Sequence, residues 1–246
     1  MTNFTVSKQL LLDNFITPLS QFDIEDNSAM LELKDTNLMG LTHSQDRSLI
    51  LQTTLKNVVN PVKFDPVVLK GLKKLRPALK YIDNINPSFK IMDNYLEYSD
   101  DLVKFKSYFL DIRFFQTKQS DKIKKISELE FDFSFGLTQK ALTNIRKSSQ
   151  FTDTSKLYID ASPKTGVMIT RKDDEAKNVN SIGFKVSDEY TGIPLTNIPL
   201  HISTFNWICE SNESILLSYC SKVGVITLTV DTPDYNLYYI TSRLKK

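Results

Sequence analysis

The chain is poor in the residues that most catalytic motifs need. Its 246 residues include seven glycines, at 40, 71, 136, 166, 183, 192 and 224. No two of them stand two apart, so there is no G-x-G dinucleotide fingerprint. There is no G-x-x-x-x-G-K run to cradle phosphates and no G-x-S-x-G elbow to present a nucleophilic serine. His43 and His201 are the only histidines, which rules out H-E-x-x-H and leaves a Cys/His zinc site short of ligands. Cys209 and Cys220 are the only cysteines. Two thiols make no disulfide framework, so a reducing compartment is expected. Each reads as a buried structural thiol rather than a nucleophile. No apolar run approaches the ~20 residues of a membrane span. Met1–Thr5 carries no signal-peptide pattern. Net charge is lacking too: 31 Lys and Arg stand against 29 Asp and Glu. The expectation is a soluble intracellular protein without a cofactor, whose partners must be read from where the charges sit.

Carboxylates are the one remaining route to metal chemistry. Glu128, Glu130 and Asp132 alternate, and Asp173–Asp174–Glu175 is an acidic run. A solvated strand face and a charged loop explain them better than a metal-dependent nuclease site. The expectation is therefore no metal and no catalytic residue.

What is present is regular patterning. Ser7 can cap a helix over 8–20, with Leu11, Leu12, Phe15, Ile16 and Leu19 on one stripe. Met30–Leu33, Leu38–Leu41 and Leu49–Leu55 read as short strands, with turn chemistry at Asn27–Ser28 and His43–Asp46. Asp65–Pro66 reads as a cap followed by proline at the first helical position. The helix after it would bury Val68, Leu72, Leu75 and Leu79, and Pro77 would end or bend it. Phe89–Met92, Tyr95–Ser99 and Leu102–Phe115 return to strand patterns. Gln116–Ser127 is polar and reads as a connector.

Glu128–Phe135 alternates as a half-buried strand. Thr138 caps a helix to about Ser149. Strands follow at Lys156–Ala161, Thr165–Arg171 and Ser181–Val186. A short strand then ends at Ser203, read as the cap of a helix near Thr204–Cys209. Ser214–Tyr219, Gly224–Val230 and Tyr235–Arg243 complete the chain.

The two halves read as copies of one unit. Ser7 matches Thr138, Asp65 matches Ser203 through the Asn60–Pro66 and Thr196–Phe205 junctions, and Tyr108–Leu110 matches Tyr238–Ile240. Order, element type and spacing agree together. The fold class is α+β, with two similar domains of two helices against antiparallel sheet. Residues 1–115 form the first domain, 116–127 the connector and 128–246 the second.

Basic residues concentrate on two helix faces. The second helix of the first half carries Lys70, Lys73, Lys74 and Arg76, with Lys80 beyond. The first helix of the second half carries Lys140, Arg146 and Lys147. Surface helices normally mix both signs, so such faces suit sequence-independent phosphate contact. The first helix adds only Lys8, and the last has almost no charge.

Two copies of strand–helix–strands–helix–strands with basic helix faces resemble a DNA polymerase sliding clamp. The two-domain length resembles the trimeric type, as in proliferating-cell nuclear antigen and the clamps of T4-like bacteriophages. The resemblance implies a non-enzymatic processivity factor: a homotrimeric ring around double-stranded DNA, closed head to tail through edge strands. It implies pore residues Lys8, Lys70, Lys73, Lys74, Arg76, Lys80, Lys140, Arg146 and Lys147. It implies a DNA polymerase and a clamp loader ATPase as partners, with partner peptides docking near the connector. A phage or viral replisome fits the divergence, and would place the protein in the host cytoplasm. A monomeric processivity factor and a β-rich structural or assembly protein of a virion are the competing readings, and the carboxylate nuclease is a distant third.

Overall fold

The computed structural model describes residues 2–20, 28–44, 49–61, 63–115, 119–152, 154, 156–172, 180–201, 205 and 215–242. They form two units: Met1–Ser127 with Asp231–Tyr239, and Glu128–Val230 with Ile240–Lys246.

The first unit runs β1 (Thr2–Thr5), α1 (Lys8–Leu10, Leu11–Ile16 and Thr17–Ser20 wound continuously), β2 (Ala29–Lys34), β3 (Asn37–His43), β4 (Leu49–Leu55), β5 (Phe64–Leu69), α2 (Leu72–Lys80), β6 (Ser88–Ile91), β7 (Tyr95–Ser99) and β8 (Lys104–Leu110). All pairings are antiparallel. One ribbon has the order β1-β6-β7-β8 and the other β5-β2-β3-β4. They join where Val68 and Leu69 pair with Leu110 and Phe109.

The second unit repeats this plan. After helix α3 (Gln119–Ser127), which ends the first unit, come β9 (Phe133–Leu137), α4 (Gln139–Lys147), β10 (Lys156–Ser162), β11 (Gly166–Lys172), β12 (Ser181–Ser187), β13 (Leu195–His201), β14 (Ile215–Cys220), β15 (Val225–Asp231) and β16 (Tyr235–Ser242), the last with its residues 235–239 counted in the first unit. β14 pairs with β9 and β15, as β6 pairs with β1 and β7. The order β13-β10-β11-β12 copies β5-β2-β3-β4. Even a register fault is duplicated. β2–β5 slips between Leu31 and Leu33, and β10–β13 slips between Ile159 and Ala161.

That bulge corrects the sequence expectation at Asp65. Asp65–Pro66 lies inside β5, and α2 begins three residues past its end, behind an N-cap at Gly71 with φ 66°. Proline has no N–H for a ladder, and a bulge is where a strand tolerates it. The same position in β13 is Thr196–Asn197. Asn197 takes φ 52°, and its N–H donates to Asp160 Oδ1 at 2.7 Å. Val67 and Ile198 therefore correspond, 131 residues apart, the same spacing as Ser7 to Thr138. The Asp65–Ser203 match is out of step by seven residues. Ser203 itself, with Trp207 and Cys209, lies outside the described residues; Phe205 is helical and buried.

Four other expectations change. Val68 is a strand residue, while Leu72, Leu75 and Leu79 form the buried face of α2. Pro77 does not end α2, which continues to Lys80. Gln119–Ser127, read from its composition as a polar connector, is helical, with Ile123 and Ile126 buried. The strand expected from Glu128 starts only at Phe133. Asp132 ends the ladder by accepting from the Ser221 N–H and, at 3.0 Å, from its hydroxyl. Glu128, Glu130 and Asp132 thus share no strand face. Among the described residues no group of three His, Cys, Asp or Glu could hold a metal ion.

Both expected first-helix caps form. Ser7 Oγ accepts from the Leu10 N–H at 3.4 Å, and Thr138 Oγ1 accepts from the Ala141 N–H at 3.2 Å. Helix α1 also contains Pro18, which cannot donate to the Asn14 carbonyl four residues back. Thr53 of β4, fully buried, supplies the missing donor at 2.7 Å, and the turn before Pro18 widens to π-winding. α1 lies close on β3 because residue 40 is glycine. A Cβ there would come within 2.7 Å of both Leu19 Cδ1 and Phe15 Cζ. Gly40→Ala is expected to cost about 1–3 kcal/mol by overpacking, read as a lowered urea midpoint. An unchanged midpoint would show that α1 is free to shift.

The tip between β7 and β8 is fixed by a buried tyrosine. Tyr98 Oη donates to Asp100 Oδ2 at 2.6 Å, while Asp100 Oδ1 accepts from the Leu102 and Val103 N–H groups at 2.9 and 2.6 Å. Burial, then the Asp100 hydrogen bond, pushes the Tyr98 hydroxyl up to about 12. The hydrogen bond from Tyr98 is the main reason that Asp100 is held below its ordinary value. A raised folded value means this stabilisation is complete below the ordinary tyrosine value near 10 and is lost as pH rises through about 12. Tyr98→Phe is therefore expected to flatten the alkaline fall in stability over that window, measured as urea midpoint against pH.

Candidate nucleic-acid interface

Both basic helices are built the same way. Apolar residues at helical spacing bury one face: Leu72, Leu75 and Leu79 in α2, Leu142 and Ile145 in α4. The residues left over are cations and neutral groups, because neither Leu72–Lys80 nor Gln139–Lys147 contains a carboxylate. Lys73, Lys74 and Lys80 are exposed on α2, Arg76 is half-buried, and Lys70 is exposed just before it. Lys140 and Lys147 are exposed on α4, seven residues apart and so on one face. Among the described residues Lys70, Lys74, Lys140 and Lys147 have no ion-pair partner.

Two of the expected cations are engaged elsewhere. Lys8 Nζ donates to the Lys80 carbonyl at 3.1 Å and to the Ile82 carbonyl. It ties the start of α1 to the end of α2, where a cation complements the helix dipole. Arg146 donates from Nε and Nη2 to the Phe205 carbonyl at 3.2 and 2.7 Å. Both read as positioning groups in their own units.

The structure adds a basic strand that the helix patterns did not reveal. In β8, Lys104 and Lys106 are exposed and flank half-buried Phe105. Both ammonium groups reach Glu97 of β7, at 3.6 and 3.8 Å. Lys106 also sits 4.4 Å from the Tyr95 ring centroid and donates to its hydroxyl at 3.3 Å. That hydrogen bond is the main reason that the Lys106 ammonium is held above its ordinary value. An open groove of about 660 Å³ lies between α2 and β8, lined by Lys70, Lys73, Lys74, Lys106 and Tyr108 among others. The signal for Lys106 was present as strand alternation, lysines out and Phe105 in. Helical spacing does not register it, because the cations lie on a strand.

Among the outer strands β1, β9, β12 and β13 and the partly paired β8, two alternate between exposed and half-buried along their length. They are β12, an outer strand of its sheet, and β8, which pairs with β5 only at its last two residues. Tyr108 of β8 is 52% exposed despite its size.

Among the described side chains, His43 and Cys220 are engaged in local packing. His43 Nδ1 lies 2.9 Å from the Ser44 carbonyl and its ring packs on Phe115, 5.1 Å away. Cys220 is buried at the end of β14. No helix among the described residues is long and apolar enough to cross a membrane.

No protein-family model matches the chain, and no curated protein matches it in sequence. Solved structures do match in fold. A. fulgidus PCNA, solved with the C-terminal region of FEN-1, aligns at TM-score 0.76 and 12% identity, over 100% of this chain and 99% of that one. The DNA polymerase III beta subunit of Thermotoga maritima aligns at 0.73 and 12% identity, and that of Streptococcus pneumoniae at 0.73 and 15%. The chain spans 65% of the length of each of these beta subunits, against 99% of the PCNA. With its duplicated strand–helix unit and two-ribbon sheets, the chain has the DNA sliding clamp fold.

Proposed function

We propose that the protein is a sliding clamp, a non-enzymatic processivity factor that encircles duplex DNA and tethers a DNA polymerase. The observation that carries this reading is the combination of the clamp fold with two helices, one in each unit, whose exposed faces hold cations and no carboxylate. Lys70, Lys73, Lys74, Arg76, Lys80, Lys140 and Lys147 contact phosphates without reading bases, so the ring slides. Lys8 and Arg146 hold the helices that carry them.

Three chains close the ring head to tail, β8 of one against β12 of the next. The two open edges differ in sequence and lie in different units, so the contact is heterologous and must close on itself or propagate. A bound polymerase gains effective concentration at the primer end without any new chemistry. A clamp loader ATPase opens the ring, and partners dock through short peptides. The PCNA structure solved with a C-terminal region of FEN-1 supports that last mode. The virion-component reading explains the β-rich plan but leaves the carboxylate-free helices unexplained.

Mass in solution tests the assembly. A species of three 28.2 kDa chains is expected. A strictly monomeric chain that still stimulates a polymerase would replace the ring by a monomeric processivity factor.

A further inference from the structure

The two carboxylate-free helices share a second feature that phosphate contact does not use. Each ends in a large aromatic side chain left in water. Tyr81 caps the end of α2 and is 74% exposed. Phe151 follows α4 and its terminal 3₁₀ turn, Ser148–Gln150, and is 51% exposed. Both residues keep right-handed helical dihedrals, so each ring extends a face of the helix before it. Tyr81 stands seven residues past Lys74, with half-buried Ala78 between them on that face. Phe151 stands four past Lys147 and eleven past Lys140. The duplication does not account for the coincidence, because α4 corresponds to α1 and not to α2.

The backbone under each ring is fixed while the ring is exposed. Lys8 Nζ donates to the Lys80 carbonyl at 3.1 Å and to the Ile82 carbonyl, one on either side of Tyr81. The Lys8 N–H donates to the Ile85 carbonyl at 2.8 Å, and the Val6 N–H to the Pro87 carbonyl at 3.3 Å. Ile82 itself is fully buried. The Phe151 N–H donates to the Ser148 carbonyl at 3.0 Å, and the Ser148 hydroxyl lies 3.3 Å from Nη1 of buried Arg171. A ring presented on so rigid a mount loses little freedom when it binds. The exposed carboxylate Asp83 stands two residues past Tyr81, where Lys74 and Lys80 outnumber it. Asp153, two past Phe151, lies outside the described residues.

Resting on the reading of α2 and α4 as DNA faces, we infer that Tyr81 and Phe151 are stacking platforms for unpaired bases. Cations that take phosphates beside aromatic rings that take base faces are the arrangement that holds single strands. Within a duplex each base face is covered by its neighbours, so the rings find a partner only where pairing stops. The protein then holds a duplex with a single-stranded extension more tightly than phosphate contact alone allows. It gains a preference for the place where paired and unpaired DNA meet.

The test is fluorescence anisotropy of the full chain at fixed salt with three labelled probes: a blunt duplex, the same duplex with a thymidine extension, and the same duplex with an abasic extension of equal length. The two extensions carry equal phosphate and differ only in bases. Wild type is expected to bind the thymidine extension about tenfold more tightly than the abasic one. Tyr81→Ala with Phe151→Ala is expected to bind both alike, and Tyr81→Trp with Phe151→Trp to keep the difference. Equal wild-type affinity for the two extensions, with the blunt duplex still bound, would overturn the stacking role and leave the phosphate reading standing. A difference that survives in the double alanine variant would overturn the assignment to these rings. A double alanine variant with every DNA affinity unchanged but polymerase stimulation lost would make the rings a protein-docking pair and overturn the inference. Failure to bind all three probes would overturn the DNA-face reading and this inference with it.

Discussion

Replacing Lys70, Lys73, Lys74, Lys140 and Lys147 together by alanine should lower affinity for duplex DNA by about a thousandfold at about 50 mM salt, and remove most of its salt dependence. Each lysine that neutralises a phosphate contributes about 0.9 to the slope of log affinity against log salt. Proteins making several such contacts lose about 10³–10⁵ in affinity between 50 and 200 mM. The five ammonium groups are exposed, so their removal leaves the cores of both units intact. Thermal unfolding should stay within a few degrees of wild type. Arg146 and Lys8 are left out deliberately, because their loss would free the carbonyls they hold and mix a folding defect with a binding one. Fluorescence anisotropy of a labelled duplex across a salt series reads the result. Unchanged affinity and slope would remove α2 and α4 from the DNA contact.

The second large effect is on assembly. Tyr108→Asp should convert the ring to monomers at concentrations where the wild type is trimeric, seen as a fall to the 28.2 kDa chain mass by light scattering. Tyr108 is 52% exposed in the single chain, on the open edge of β8 and 5.5 Å from Tyr95 in ring-centroid distance. A large aromatic left this open is a natural interface anchor, and truncating such anchors typically costs about 2–4 kcal/mol. In a trimeric ring the cost falls on every joint. Folding should be little affected, because the side chain is already half in water. A Tyr108→Asp protein that remains trimeric would place the joint on another strand.

Much of the fold could be read from the sequence because local and global signals agree in most elements. Ser7 and Thr138 are caps by chemistry, and each precedes an apolar stripe of helical period. β2, β3, β10 and β11 alternate or run apolar between turn residues. The Asp65–Pro66 reading failed because a cap and a bulge use the same dipeptide. What decides between them is the partner strand, β2, which the local pattern does not name. The stretch Glu128–Phe135 failed by a few residues for a similar reason. Its alternation is real, but Asp132 is taken by Ser221, 89 positions later, and the ladder stops there.

The candidate site was legible where it lies on helices and hidden where tertiary contacts decide. Lys70, Lys73, Lys74, Lys140 and Lys147 stand on exposed faces because leucine and isoleucine claim the buried ones. Lys8 and Arg146 looked equivalent to them, since helical spacing says nothing about a carbonyl presented by a distant part of the chain. Lys106 looked like an ordinary strand lysine. Only the packing of α2 beside β8 puts it into the same groove as Lys73 and Lys74. The open edges of β8 and β12 were likewise invisible until strand order was known.

The central claim is topological, and retention on closed against open DNA tests it most directly. The protein, placed on nicked circular DNA with a matched polymerase–loader system or by mass action, is passed through a sizing column at high salt. The DNA is then cut once with a restriction enzyme. A ring that encircles without gripping stays with the circle and is lost within minutes once the DNA is linear. Equal retention on both forms, or on neither, would contradict encirclement and leave a clamp-shaped protein that binds DNA only from outside.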